Sequence, residues 1–513
     1  MPPKASTSKS SGAASSSKTT TVANDAPSKS GSLPSDLLTS FLLQGEHARS
    51  YKNQYANVYF MRLAKLKAIV LENAQRKWAD VENDPVYVPR VLDVQKGKLC
   101  YIVGTVYMDM PLKPNVLADI GKEHWVQAPA PLQKLTSPTD TALLEDDSGR
   151  VKLVLSPSLK EAGVPLVTGV IMACLGMESS VGEFEVLDIC FAGMAKNAEA
   201  DKGKEKEDER MEIDGEISPK GKWIALVSGL DISSSDIQPG DEVASSAELR
   251  LQMLVEYLKG EFGGEEDQKM SKECGAVVIL GNSLDIPRKS ADDAKNAKRY
   301  NQQATYDPAP LAQLSSTLKD LASSIPIHLL PGATDPAGAI LPQQPMPRAM
   351  FGFEPGVGIV SGVFQCECNP AWIDLGVGNG LLATSGQNLD DVFKYLESED
   401  RLGMARAMMQ WRHIAPTCPD TLWCYPFFDG DPFLLDYSPG IYAVGNQPSF
   451  ASSLVESEVY PGDDETSDAH RARTRVILVP RFSTSGEVVF VHSTSLEIKT
   501  MRFGVASGWG NNK

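Results

Sequence analysis

Apolar positions change their spacing twice along this chain, and the changes mark out its parts. Residues 1–32 hold ten serines and four lysines, and no Leu, Ile or Phe. Such a segment buries too little apolar area to offset the entropy of ordering, so a disordered tail is expected there. Order is expected from Leu33. Ser35 stands where it would cap a short helix carrying Leu37, Leu38, Phe41 and Leu42. Tyr51, Tyr55, Tyr59, Leu63, Leu66 and Val70 then recur at spacings of three or four. That spacing predicts a long helix from about His47 to Trp78 with one apolar stripe. The helices of residues 33–85 are expected to pack on the body that follows.

From about Val86 the period shortens. Lys98–Val106, Thr141–Leu144, Arg150–Leu155, Leu166–Leu175 and Glu183–Ala192 read as strands, with Asp147-Ser148-Gly149 as a hairpin turn. Five short strands within residues 86–195 suit a small barrel such as an OB-fold. Residues 196–222 are a mixed charge run with almost no large apolar side chains, and read as a linker.

Beyond the linker, short apolar runs alternate with amphipathic segments. Trp223–Val227, Ala276–Leu280 and Ile325–Leu330 are expected strands; Leu251, Leu254, Val255 and Leu258, and then Leu311, Leu314, Leu318 and Leu321, mark helices between them. Later strands are expected at Ile441–Val444, Val476–Val479, Val488–His492 and Leu496–Met501. The pattern predicts a largely parallel sheet with both faces covered, over residues 223–513, interrupted by polar inserts at 286–310 and 456–473. The whole chain is therefore expected to be mixed, α+β then α/β.

Composition narrows the function. The net charge is −17, a field that opposes non-specific binding to DNA or anionic lipid. No run approaches the ~18 apolar residues of a membrane span, and no apolar h-region marks a secretory signal. No membrane association is expected. Eight scattered cysteines suggest reduced thiols rather than a disulfide framework.

Open α/β sheets place their sites beyond the carboxyl ends of the strands. Four turns stand there: Ser228-Gly229-Leu230-Asp231, Gly281-Asn282-Ser283, Pro331-Gly332-Ala333-Thr334-Asp335 and Gly445-Asn446-Gln447-Pro448. They resemble the turns of the calcineurin-like metallophosphoesterases, which read D-x-H, G-D, G-N-H-[DE] and G-H-x-H. The chemistry of that family needs two cations held by carboxylate, imidazole and amide ligands. Here Gly229 replaces the first Asp and Asp231 the first His. Asn282 replaces the bridging Asp, Ala333 and Thr334 the Asn and catalytic His, and Asn446 and Pro448 the last two His. His413 alone stands near the position of a further lone His. No catalytic residue, metal or cofactor is expected.

A barrel followed by a degenerate phosphoesterase resembles the small (B-type) subunits of replicative DNA polymerases, the delta type above all. The stretches that carry this are ALLEDDSGRVKL (142–153), LLPGATDPAGAILPQQPMP (329–347), TSGQNLDDVFKY (384–395), RHIAPTCPDTLWCYPFFDGDPF (412–433) and VGNQPSF (444–450). The resemblance implies an inactive calcineurin-like sandwich and a non-catalytic nuclear scaffold for replication and repair synthesis. It implies two partners: the cysteine-rich C-terminal domain of the polymerase delta catalytic subunit, and a third subunit. DNA would be met only through the assembled complex.

Other readings of the same residues stay open at this point. Asp231, Asp285, Asp335 and His413 would be the ligands of a still-active phosphoesterase. Tyr101, Tyr107 and Trp125 would be the stacking platform of an independent single-strand binder. Cys366, Cys368, Cys418 and Cys424 would be a zinc site, at a spacing that fits no common motif. Residues 411–450 concentrate aromatics. Trp411, Trp423, Tyr425, Phe427, Phe428 and Phe433 are candidates either for a core under irregular loops or for partner anchors.

Overall fold

The structure is a computed structural model and describes residues 33–43, 45, 49–82, 84–114, 132–197, 222–233, 242–286, 308–352, 363–374, 380–458 and 471–504. The expected tail, nearly all of the charged linker, the greater part of both inserts, and Trp125 lie outside them.

Helix α1 (Ser35–Leu38) is a single turn with Pro34 at its N-cap, and Ser35 is its first residue rather than a side-chain cap. Helix α2 is Ala56–Lys77, so it begins nine residues later than its spacing predicts. The preceding segment spends its hydrogen bonds elsewhere. Ser50 N donates to Tyr425 Oη at 2.9 Å, Asn53 Nδ2 to Pro426 O at 3.2 Å, and Tyr55 Oη to Cys424 O at 3.0 Å. Tertiary partners have overridden a helical pattern. Within α2 the stripe is as expected: Leu63, Leu66 and Val70 are buried, together with Val58 and Ala74.

Strands β1 (Val86–Tyr87), β2 (Cys100–Asp109), β3 (Thr141–Glu145) and β4 (Arg150–Leu155), helix α3 (Pro157–Glu161), and strands β5 (Ile171–Glu178) and β6 (Phe184–Phe191) follow. The order β1-β2-β3-β4-β6-β5, with β2 also pairing β5, closes the barrel. Closure works because β2 pairs β5 through its first half and β3 through its second, sharing Thr105. The hairpin between β3 and β4 is held by Asp146, whose carboxylate accepts from the amides of Ser148 at 2.7 Å and Gly149 at 3.1 Å.

The rest is a two-sheet sandwich. Its elements are β7 (Trp223–Val227), α4 (Glu242–Leu258), α5 (Glu265–Glu273), β8 (Cys274–Leu280), α6 (Pro308–Ala322), β9 (Ile327–Leu330), β10 (Phe364–Cys366), β11 (Ala371–Ile373) and β12 (Leu381–Thr384). Then come α7 (Gln387–Tyr395), α8 (Arg401–Gln410), β13 (Ile441–Gln447), β14 (Ala451–Glu456), β15 (Arg473–Pro480), α9 (Phe482–Ser485), β16 (Glu487–His492) and β17 (Ile498–Arg502). One sheet runs β10-β9-β8-β7-β16-β17 and the other β11-β12-β13-β15-β14. The central pairs are parallel; antiparallel strands add at both edges of the second sheet and, in the first, only on the β16–β17 side, β10 being parallel to β9. Alternation sorts the faces: Ile224 and Leu226 point into the layer between the sheets, with Ala383, Ala443 and Ile477. Ala225 and Val227 point outward under α4 and α6.

Barrel and sandwich share one apolar cluster, in which Val106, Leu144 and Met194 pack with Leu389, Met408 and Trp411. Polar contacts cross the same seam. Lys113 Nζ reaches Asp420 at 2.6 Å, Lys134 Nζ reaches Leu396 O at 2.7 Å, and Arg412 donates to Gly193 O at 2.7 Å.

Candidate functional site

The turns after β7, β8, β9 and β13 meet at one end of the sandwich. Gly229 N donates to Gly281 O and Asp231 N to Asn282 O, each at 3.0 Å. Thr334 N donates to Asn282 Oδ1 at 3.3 Å. Asn446 N donates to Ser228 Oγ at 2.9 Å, and its side-chain amide to Leu280 O at 3.1 Å and Ser385 O at 2.9 Å. The structure thus brings together Gly229, Asp231, Asn282, the Ala333-Thr334-Asp335 turn and Asn446. Pro448 lies exposed past the end of β13. His413 is elsewhere: its partners are Asp431, the Ala415 amide and the Phe433 ring.

Side chains of this chain occupy the ground where ligands would stand. Asp231 pairs with Arg481 at 3.0 Å and accepts from Ser483 Oγ at 2.6 Å, while burial pushes its carboxyl upward. Asp335 is buried and accepts from the amides of Gly332 at 2.8 Å and Leu284 at 3.0 Å; burial pushes its carboxyl up to about 6. Gly229 sits at φ +61°, and a Cβ there would lie 2.8 Å from Asn446 Oδ1 and 3.1 Å from Arg481 Cβ. Asn446 Oδ1, Thr334 Oγ1 and Ser283 Oγ are buried without a hydrogen-bond partner among the described residues. The donors left are two carboxylates, one neutralised by arginine and one by backbone amides. This set does not fit a binuclear centre, and no group of three or more His, Cys, Asp or Glu gathers for a metal among the described residues.

Beside these turns lies an uncharged network that sequence reasoning missed. Asn369 Nδ2 lies 2.7 Å from Gln343 Oε1, 2.7 Å from Ser385 Oγ and 2.8 Å from Gln387 Oε1, and its two hydrogens are shared among these three acceptors. Gln343 Nε2 donates to Gly332 O at 3.1 Å. A buried network with its members satisfied rigidifies its surroundings. Gln343, Ser385 and Gln387 fall inside the delta-like stretches, which was the available signal.

The aromatic candidates separate by burial. Trp411 and Phe433 are core residues, 1 % and 0 % exposed, and are not available as anchors. Tyr425 and Phe427 are half-buried, and Trp423 and Phe428 are each 66 % exposed. Rings run inward from the surface, Tyr51 to Tyr425 at 5.4 Å, Tyr425 to Phe427 at 5.3 Å and Phe427 to Phe433 at 5.9 Å. Tyr425, Phe427 and Phe428 line a cavity of about 490 Å³. Beneath it Arg62, fully buried on α2, pairs with Asp431 at 2.5 Å, and His413 Nε2 lies 3.1 Å from the same carboxylate. Asp431 is held well below the usual carboxylate range, by Arg62 and then His413 against its burial. Burial and then Arg62 push the His413 imidazole down to about 4.

Two family models match. One, described as the DNA polymerase delta subunit OB-fold domain, covers residues 54–189, and the other, the B-type subunit of DNA polymerases alpha and epsilon, covers 224–452. The chain is 35 % identical to the DNA polymerase delta small subunit of Arabidopsis thaliana, over 90 % of this chain and 93 % of that one. It is 33 % identical to the small subunit of Oryza sativa subsp. japonica (92 % and 97 %) and 30 % to that of Saccharomyces cerevisiae (89 % and 91 %). The chain belongs to the DNA polymerase delta small-subunit family. A polymerase delta small subunit is an accessory chain of the holoenzyme rather than its catalytic one. The remaining readings are weaker on this small subunit. Tyr101 is buried against Trp78 and Tyr87, a core position. None of the eight cysteines forms a disulfide among the described residues, and burial raises Cys366, Cys368 and Cys418.

Proposed function

We propose that this small subunit is a non-catalytic bridge inside the nuclear polymerase delta holoenzyme, serving lagging-strand elongation and repair synthesis. One face holds the cysteine-rich C-terminal domain of the catalytic subunit and another holds the third subunit. DNA is reached only through the assembled complex. The observation that carries this reading is the exchange at the strand ends: Arg481 pairs with Asp231 where a metalloenzyme would hold cations. A fold kept without its chemistry acts through its surface, and that surface displays Trp423 and Phe428. Two joined docking faces raise the effective concentration of one partner for the other. Phe428→Asp in the full chain tests the surface. It should weaken binding of one purified partner by about tenfold or more and leave the other unchanged. Wild-type binding of both partners, or manganese-dependent phosphodiesterase activity in the native chain, contradicts the reading.

A further inference from the structure

Helix α2 divides two cavities. At about 100° per residue, Ala56, Tyr59, Phe60 and Leu63 share one flank, and Lys65 stands on the opposite flank. Lys65 lines the cavity beside Phe428, whereas the first four residues line a second cavity of about 540 Å³. This second groove is built at a three-way junction of α2, the barrel strand β2 and the sandwich loop at Pro419-Asp420. Its floor is apolar, with Tyr59, Phe60, Leu63, Val106 and Tyr107, and Phe60 is 58 % exposed.

The rim is acidic. Glu145, Asp146 and Asp420 line it, and two exposed carboxylates lie beyond its two ends: Asp109 at the end of β2, opposite Thr141, and Asp147 in the β3–β4 turn at the other end of the strand pair. Two bases answer them: Arg150 pairs with Glu145 at 2.9 Å and Lys113 with Asp420 at 2.6 Å. Both cations also lie over the Tyr107 ring, at 5.7 Å and 4.9 Å. Asp109 and Asp147 have no ion pair among the described residues. Burial, and then the field of Asp420, Asp109 and Glu145, raises the Tyr107 hydroxyl.

We infer that this groove docks a segment of a partner subunit carrying a large apolar side chain flanked by lysine or arginine. The apolar anchor fills the floor and the bases answer Asp109 and Asp147, an arrangement that adds on-rate and specificity to apolar burial. A polyanion is disfavoured by the same rim. The inference rests on the bridging reading and deepens it. The two grooves flank α2 on opposite sides, so two partners can occupy them together.

The test uses the full chain with the purified catalytic and third subunits, each titrated at low and moderate salt. Phe60→Glu places a charge on an exposed position. Asp109→Lys with Asp147→Lys reverses the free rim charge, and circular dichroism verifies that both variants are folded. Each should weaken the same one partner by about tenfold or more and leave the other within about twofold. The rim variant should also flatten the salt dependence of that partner. That partner should differ from the one weakened by Phe428→Asp. Wild-type affinity of both partners for both variants overturns the groove and leaves the bridge standing. Failure of either partner to bind the native chain overturns the bridge and the groove with it. Oligothymidylate binding that Phe60→Glu abolishes, with partner binding intact, assigns the groove to nucleic acid and overturns the proposal.

Discussion

Gly229 shows why the lost chemistry is not one substitution away. Its φ of +61° and the nearness of Asn446 Oδ1 and Arg481 leave no room for a carboxylate. Gly229→Asp should lower the melting temperature and recruit no manganese, measured by calorimetry and by metal analysis after dialysis. Arg62 is the other residue on which much turns. It is a buried cation paired with a buried anion, and it also donates to Pro416 O at 3.0 Å and Cys418 O at 2.6 Å. Removing one partner of such a pair strands the other, so Arg62→Met should cost about 3–5 kcal/mol in urea unfolding. The neighbouring His413 makes that stability depend on pH. Its folded value of about 4 lies below the ordinary 6.5, so the unfolded chain takes up this proton first as pH falls. Stability from His413 is full above about 6.5 and is lost on the way down to about 4. His413→Gln should flatten that limb in urea melts run across the window. The sequence placed His413 near a metal position. Its spacing said nothing of Arg62, 351 residues earlier in the chain, and a pair that distant is set by packing alone.

At the scale of elements, periodicity located most strands and helices because burial is one-sided and repeats. The barrel strands from β2 to β6 and the first strands of the sandwich were legible for this reason. The start of α2 was not, since Tyr51 and Tyr55 continue the spacing but bond to the 423–428 loop. Strands β10, β11 and β12 have three or four residues each, too short for a period to show. The irregular segment 411–450 hid its burial altogether. Trp411 and Phe433 look like Trp423 and Phe428 in sequence, yet one pair is core and the other is exposed. Trp411→Ala or Phe433→Ala should cost about 3–5 kcal/mol in urea unfolding. Trp423→Ala and Phe428→Asp should stay within about 0.5 kcal/mol of the native chain, which separates anchors from core by a stability measurement before any partner is added.

At the scale of the molecule, barrel and sandwich are one unit. A continuous cluster joins Val106 and Leu144 to Met408 and Trp411, and Arg62, Lys113, Lys134 and Arg412 each bond across the seam. A single calorimetric transition is expected for the full chain; two resolved transitions would show that the seam is weak. Rigidity of this kind suits a bridge, because partners on its faces are then held in fixed relation. The four degenerate turns and the delta-like stretches made an accessory polymerase delta subunit legible in the sequence. The faces themselves were not, since α2 divides its two grooves only after the chain has folded. Size-exclusion chromatography with light scattering, of the small subunit mixed with both purified partners, tests the central claim most directly. The expected result is one peak containing all three chains, formed equally well whichever partner is added first. Displacement of one partner by the other, or elution of the small subunit alone, would contradict the account.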